Sequence, residues 1–119
     1  MQFFTAQQQA KLLANGQANA ERRDRQLPEE DFRPVVKLFT PDAGATWLLS
    51  ELNPEEPDIA FGLCDLGHGF PELGNVSLAE LAEARGWTNL PIERDLHFEP
   101  TKTLTAYADE ARSAGRIVA

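Results

Sequence analysis

The sequence predicts an α+β domain: a central antiparallel sheet of about four strands, a meander plus one later strand, packed by two or three helices. Three observations carry this expectation. Between residues 35 and 66, short segments rich in Val, Leu, Ile, Phe and Trp alternate with turns of Pro, Asp, Gly and Asn. Two later segments, starting near Ser77 and Thr103, open on a capping residue and continue with apolar residues at helical spacing. The length, 119 residues of which 42% are apolar, suffices for one core and leaves no room for a second, so residues 1–119 read as a single domain.

The elements follow in order. Thr5 and Gln8 have capping-box spacing, Ala10, Leu12 and Leu13 share a side, and Asn15-Gly16 is a natural stop. Residues 1–16 therefore read as an N-terminal helix set against a sheet edge. Residues 17–34, QANAERRDRQLPEEDFRP, mix charges of both signs with two prolines and no apolar stripe, the pattern of a mobile surface connection. Arg22, Arg23 and Arg25 concentrate positive charge there, but Glu21 and Asp24 interleave them, which favours a solvated loop over a nucleic-acid contact.

Residues 35–40 and 46–52 pair as a hairpin across PDAGA, and 59–66 adds a third strand after the acidic turn NPEEPD. Consecutive hairpin turns alternate ends, so Asp42 and the Glu55 to Asp58 turn belong at opposite ends of the sheet. Ser77 and Glu80 form a second capping box, and the helix they open closes at Arg85-Gly86. Residues 92–98 alternate Ile92, Arg94, Leu96 and Phe98 with Glu93, Asp95 and His97, a half-buried fourth strand with Arg94 the misfit on its apolar side. Leu104, Tyr107, Ala108 and Ala111 give a C-terminal amphipathic helix ending at Gly115. The sequence leaves open whether Trp47 and Trp87 are core or surface, although tryptophans are more often buried anchors than binding residues.

The segment GLCDLGHGFPEL, residues 62–73, holds the single cysteine and one of two histidines. On the third strand, Cys64 shares a side with Ala60 and Gly62, where a thiol packs as a small apolar group. As a nucleophile it would need a cation or a helix N-terminus, and its sequence neighbours supply Asp65 instead. Gly67, Gly69 and Pro71 are turn residues that display His68. Asp65, His68, Glu72 and His97, with Glu93 or Asp95, offer carboxylates and imidazoles for an enzyme or ligand site, or for iron, manganese or zinc, but their spacing matches no defined metal motif. No cofactor is expected. One cysteine, without a CxxC pair, excludes an internal disulfide and a closed Cys/His zinc site.

The net charge is −8, and its distribution is uneven. Residues 1–34 carry five basic and five acidic side chains, while residues 35–119 carry six basic and fourteen acidic ones. No Lys or Arg occurs between Lys37 and Arg85. Such a surface repels phosphate backbones, which disfavours direct nucleic-acid binding. The same charge is consistent with a merely solubilising surface or with a surface for a basic partner. No apolar run spans a bilayer, and the N-terminus has no signal-peptide pattern, so a soluble, cytoplasmic protein with no membrane contact is expected.

VVKLFTPDAGATWLLSEL, FGLCDLGHGFPELGNVSLAEL and LPIERDLHFEP, taken in order, resemble the signature blocks of a bacterial family catalogued as domain of unknown function 2958. The resemblance implies a setting, bacteria and their mobile elements, and no catalytic residue. Two function classes follow. The first is a non-catalytic interaction or accessory domain whose acidic surface, Glu51, Glu55, Glu56 and Asp58, engages a basic protein such as a nucleic-acid enzyme. The second is a small enzyme or metal- or ligand-binding domain with its site near Asp65, His68, Glu72 and His97.

Overall fold

A computed structural model describes residues 3–119. The chain forms α1 (Ala6–Asp24), β1 (Val36–Phe39), β2 (Thr46–Leu52), β3 (Ile59–Asp65), β4 (Glu72–Ser77), α2 (Leu78–Glu83), β5 (Glu93–Arg94) and α3 (Leu104–Ala114). The five strands make one antiparallel sheet in the order β4-β3-β2-β1-β5. The expected α+β class and the β1-β2-β3 meander are both present.

The sheet is buried on both faces. Val36, Leu38, Trp47, Leu49, Leu52 and Ala60 pack on one face with Leu12 of α1, Leu81 of α2 and Ile92. Leu48 and Leu63 point the other way, against Leu104, Tyr107, Ala108 and Ala111 of α3 and Ile117 beyond it. This explains the uninterrupted apolar run Trp47-Leu48-Leu49 in β2: a strand covered on both sides has no solvent face. Each fully buried leucine contributes roughly 1.5–3 kcal/mol relative to exposure.

The N-terminal helix differs from the sequence reading in length and position. Its capping box is formed as expected, Thr5 Oγ1 accepting from Gln8 N and Gln8 Oε1 from Thr5 N. It does not stop at Asn15-Gly16; it continues to Asp24 and lies across a sheet face rather than on an edge. The two stop residues are its closest points of contact. Asn15 Nδ2 donates to Ser50 O at 3.0 Å, and a side chain at Gly16 would place its Cβ 1.8 Å from Leu52 O. One turn later Asn19 Nδ2 donates to Glu51 Oε2 at 2.9 Å. Asn15, Gly16 and Asn19 thus form a polar seam that seats the helix, whereas an apolar stripe was the pattern sought.

The connection begins only at Arg25 and is tied down. Asn19 Oδ1 accepts from Glu30 N, its Nδ2 donates to Glu30 O, and Leu104 N donates to Phe32 O at the start of α3. The expected mobility of 17–34 is therefore replaced by helix in its first part and anchored chain in its second. The arginine cluster straddles the end of α1, Arg22 and Arg23 on its last turn and Arg25 at its C-cap, and Arg25 pairs with Glu21 and Arg23 with Glu29.

Two further differences concern the sheet. Residues 72–77, ELGNVS, form the edge strand β4, paired with β3 from Cys64↔Glu72 to Ile59↔Ser77; Gly and Asn inside the segment conceal it from a propensity reading. The last strand shrinks from 92–98 to Glu93–Arg94 because Asp95 Oδ1 accepts from His97 N and turns the chain. Leu96 is consequently exposed rather than on an apolar face. Arg94, the misfit, reaches from β5 to donate to Phe3 O at 3.2 Å. Thr103 caps α3 and the left-handed Gly115 stops it as read, whereas at α2 only the Ser77 half of the capping box forms, Oγ accepting from Glu80 N, and the helix ends at Glu83 with Ala84 extended rather than at Arg85-Gly86.

Candidate functional site

Three loops meet at one end of the sheet: residues 40–45, 66–71 and 84–91. Gly67, at φ 84°, lies so close to Gly44 that an added Cβ would approach Gly44 O to 3.1 Å. Gly86 packs on Asp42, where a Cβ would meet Oδ1 at 1.6 Å. Asp42 accepts from both the backbone N–H and the hydroxyl of Thr88, and these bonds hold its carboxyl below the ordinary aspartate value. The loops are thus fastened to one another through glycine contacts and one carboxylate.

What this fastened end presents is apolar. Leu66, Phe70 and Trp87 are 60%, 78% and 91% exposed. The two tryptophans, whose placement the sequence leaves open, divide: Trp47 is buried on β2 and Trp87 stands in solvent. Glu72, Glu83 and Glu93 stand exposed around this end. Arg85 donates to Ala82 O and Ala84 O at the end of α2. A signal for this surface was legible: large apolar residues inside the turn-forming stretches GHGFP and GWTN have no regular element to bury them.

The acidic residues singled out from sequence occupy the opposite end, and they are not equivalent. Glu55 and Glu56 are exposed on the β2-β3 turn, which Asn53 Oδ1 shapes by accepting from both of their N–H groups. Asp58 is exposed but engaged, accepting from Ser77 Oγ at 3.0 Å and Ala79 N at 3.1 Å and so fixing the start of α2. Glu51 follows a β-bulge between Leu49 and Glu51 and is half-buried in a cleft of about 280 Å³ with Arg23, Glu29, Asn53, Phe61 and Asn75. Burial pushes its carboxyl above the ordinary glutamate value, partly offset by the Asn19 amide. An acid raised in this way opposes folding when ionised, so its unfavourable effect is absent below the unfolded value and grows as pH rises towards the folded one.

Of the alternative set, Asp65 is buried and both its oxygens are used, Oδ1 accepting from Gly67 N at 2.8 Å and Oδ2 from Ile117 N at 3.0 Å. His68 and Glu72 are exposed on and just after the same turn. His97 is not brought to them. It follows β5, three strands from β3, a separation of roughly 14 Å at the usual strand spacing, and the chain runs away from the loop end there, Asp95 N bonding to Lys37 O. Among the described residues, no group of three or more His, Cys, Asp or Glu is placed to share a metal ion.

Cys64 packs against the α1/α2 face of the core, and burial pushes its thiol up to about 11. At pH 7 only about one molecule in ten thousand would carry the thiolate. Native protein should therefore react with a thiol reagent orders of magnitude more slowly than urea-unfolded protein, and Cys64→Ser should lower stability by about 1 kcal/mol. Fast native labelling with unchanged stability would mean an activated, accessible thiol.

Among the described residues, no helix is long and apolar enough to cross a membrane. A family model described as protein of unknown function (DUF2958) matches residues 3–118. Comparison with curated proteins and with solved structures found no match.

Proposed function

This chain belongs to the DUF2958 family of proteins of unknown function, and from that premise we propose that it is a non-catalytic interaction domain that engages a basic partner protein. The observation that carries the reading is the fastened loop end with Leu66, Phe70 and Trp87 in solvent. An exposed tryptophan on a positioned loop is the kind of side chain that dominates protein interfaces, because it buries a large area on docking and loses little conformational entropy. The partner's sign follows from charge: Glu72, Glu83 and Glu93 surround the apolar end, and Glu55, Glu56 and Asp58 extend the acidic field to the other end of the sheet. In the bacterial cytoplasm and on the mobile elements to which the sequence resemblance points, a nucleic-acid enzyme is a protein of that chemistry.

The test is retention of proteins from host extract on the immobilised chain, followed by binding kinetics with the retained protein. A basic protein should be retained, Trp87→Ala should weaken it at least tenfold with little change in melting temperature, and its association rate should fall steeply with salt. Replacing Glu51, Glu55, Glu56 and Asp58 by Gln, Gln, Gln and Asn should slow association and flatten that salt dependence. Retention indifferent to all of these changes, or tight binding of duplex DNA by the protein alone, would overturn the proposal.

A further inference from the structure

We infer that the outer edge of β4 receives an extended, lysine- or arginine-bearing segment of the partner as a sixth strand. This rests on the interaction reading above and names the chemistry of what is bound. The sheet ends at β4 on one side and at β5 on the other, and the two edges are built differently. The β5 edge is two residues long, with the Asp95 turn directly after it. The β4 edge is six residues long, without lysine, proline or any register irregularity against β3. Proteins ordinarily blunt a free edge with those devices, because unpaired N–H and C=O groups recruit another strand.

The β4 edge is also open. Among the described residues, the backbone of Glu72 to Val76 hydrogen-bonds only within the ladder to β3, leaving alternate N–H and C=O groups directed outward. Nothing lies within 4 Å of where a Gly74 Cβ would stand, so the sheet face beside this edge is uncovered at that position. The strand joins the two surfaces already described: Phe70 and Pro71 lead into Glu72 at the apolar end, and Ser77 binds Asp58 at the acidic turn. A segment lying along β4 would contact both.

Charge selects the occupant. A second copy of this chain pairing β4 with β4 would bring together two strands flanked by Glu72, Glu56 and Asp58, from molecules each of net charge −8, and like charges across a strand pair are unfavourable. A basic segment meets carboxylates at both ends instead. Main-chain bonds would supply the docking and alternate side chains the selectivity.

The probe is an acetylated, amidated Lys-Val-Lys-Val-Lys-Val-Lys peptide, added to the full chain and followed by amide hydrogen exchange and fluorescence anisotropy. Alternate amides of Glu72 to Ser77 should exchange at least tenfold more slowly with peptide bound, and a version with Glu in place of Lys should not bind. Gly74→Lys, which places a blocking cation where there is space, and Glu72→Lys at the exposed end should each weaken binding at least tenfold; having two variants guards against one failing to fold. Protection confined to residues 53–58, or no protection of β4 at millimolar peptide, overturns the edge inference while leaving the basic-partner reading intact. Retention of the basic host protein unchanged by Gly74→Lys does the same. Concentration-dependent dimerisation abolished by Gly74→Lys would show that the edge serves a second copy and overturn the choice of occupant.

Discussion

Gly16→Ala is expected to lower the unfolding free energy by about 3 kcal/mol, although alanine in place of glycine inside a helix ordinarily stabilises by about 1 kcal/mol. The sign reverses because the new Cβ would stand 1.8 Å from Leu52 O and 3.0 Å from Leu52 C, both backbone atoms of a central strand that cannot swing aside. The helix must withdraw. That breaks the Asn15 bond to Ser50 O and the Asn19 bond to Glu51, stranding a buried amide. Urea unfolding of Gly16→Ala beside Gln17→Ala, an exposed neighbour on the same helix, separates contact from propensity: Gln17→Ala should be nearly neutral. A Gly16→Ala midpoint at or above that of the wild type would refute the seam.

Asp65→Asn should cost about 3 kcal/mol, because a buried carboxylate that accepts from two backbone N–H groups is replaced by an amide with one acceptor. Whichever N–H faces the new NH2 loses its partner and meets another donor. The effect should spread along the chain in a defined direction. Ile117, held through its N–H, packs with Leu48, Leu63 and Ala111, so its release loosens the α3 layer before the α1 layer. Hydrogen exchange should accelerate first in residues 104–117 and only slightly in 6–24. Uniform acceleration, or unchanged melting, would show that Asp65 does not clasp the two segments.

The parts of the fold legible in the sequence were those fixed by local chemistry. Strand β2 runs over 46–52 as read, and Thr103 and Gly115 bound α3 because a side-chain oxygen and a left-handed glycine act within a few residues. What was hidden depends on distant atoms. Asn15-Gly16 signals a helix end unless a strand backbone waits to receive it, and ELGNVS becomes a strand because β3 offers an edge. The candidate site divides the same way. Glu55 and Glu56 stand in solvent, as acidic residues in a proline-rich turn should, whereas the half-burial of Glu51 follows from a bulge no pattern announced. The placement of Trp87 stayed open because the habit of its residue type, burial, conflicts with the turn composition around it.

The contrast between the two tryptophans also makes the molecule report on itself. Trp47, on the central strand β2, emits from an apolar interior, while Trp87 emits from water. Intrinsic fluorescence is therefore a sum of a blue-shifted and a red-shifted band, and acrylamide quenches the second far more readily. Denaturation moves the first band and leaves the second nearly in place. Docking at the loop end does the reverse, so one unlabelled sample distinguishes loss of fold from occupation of the surface.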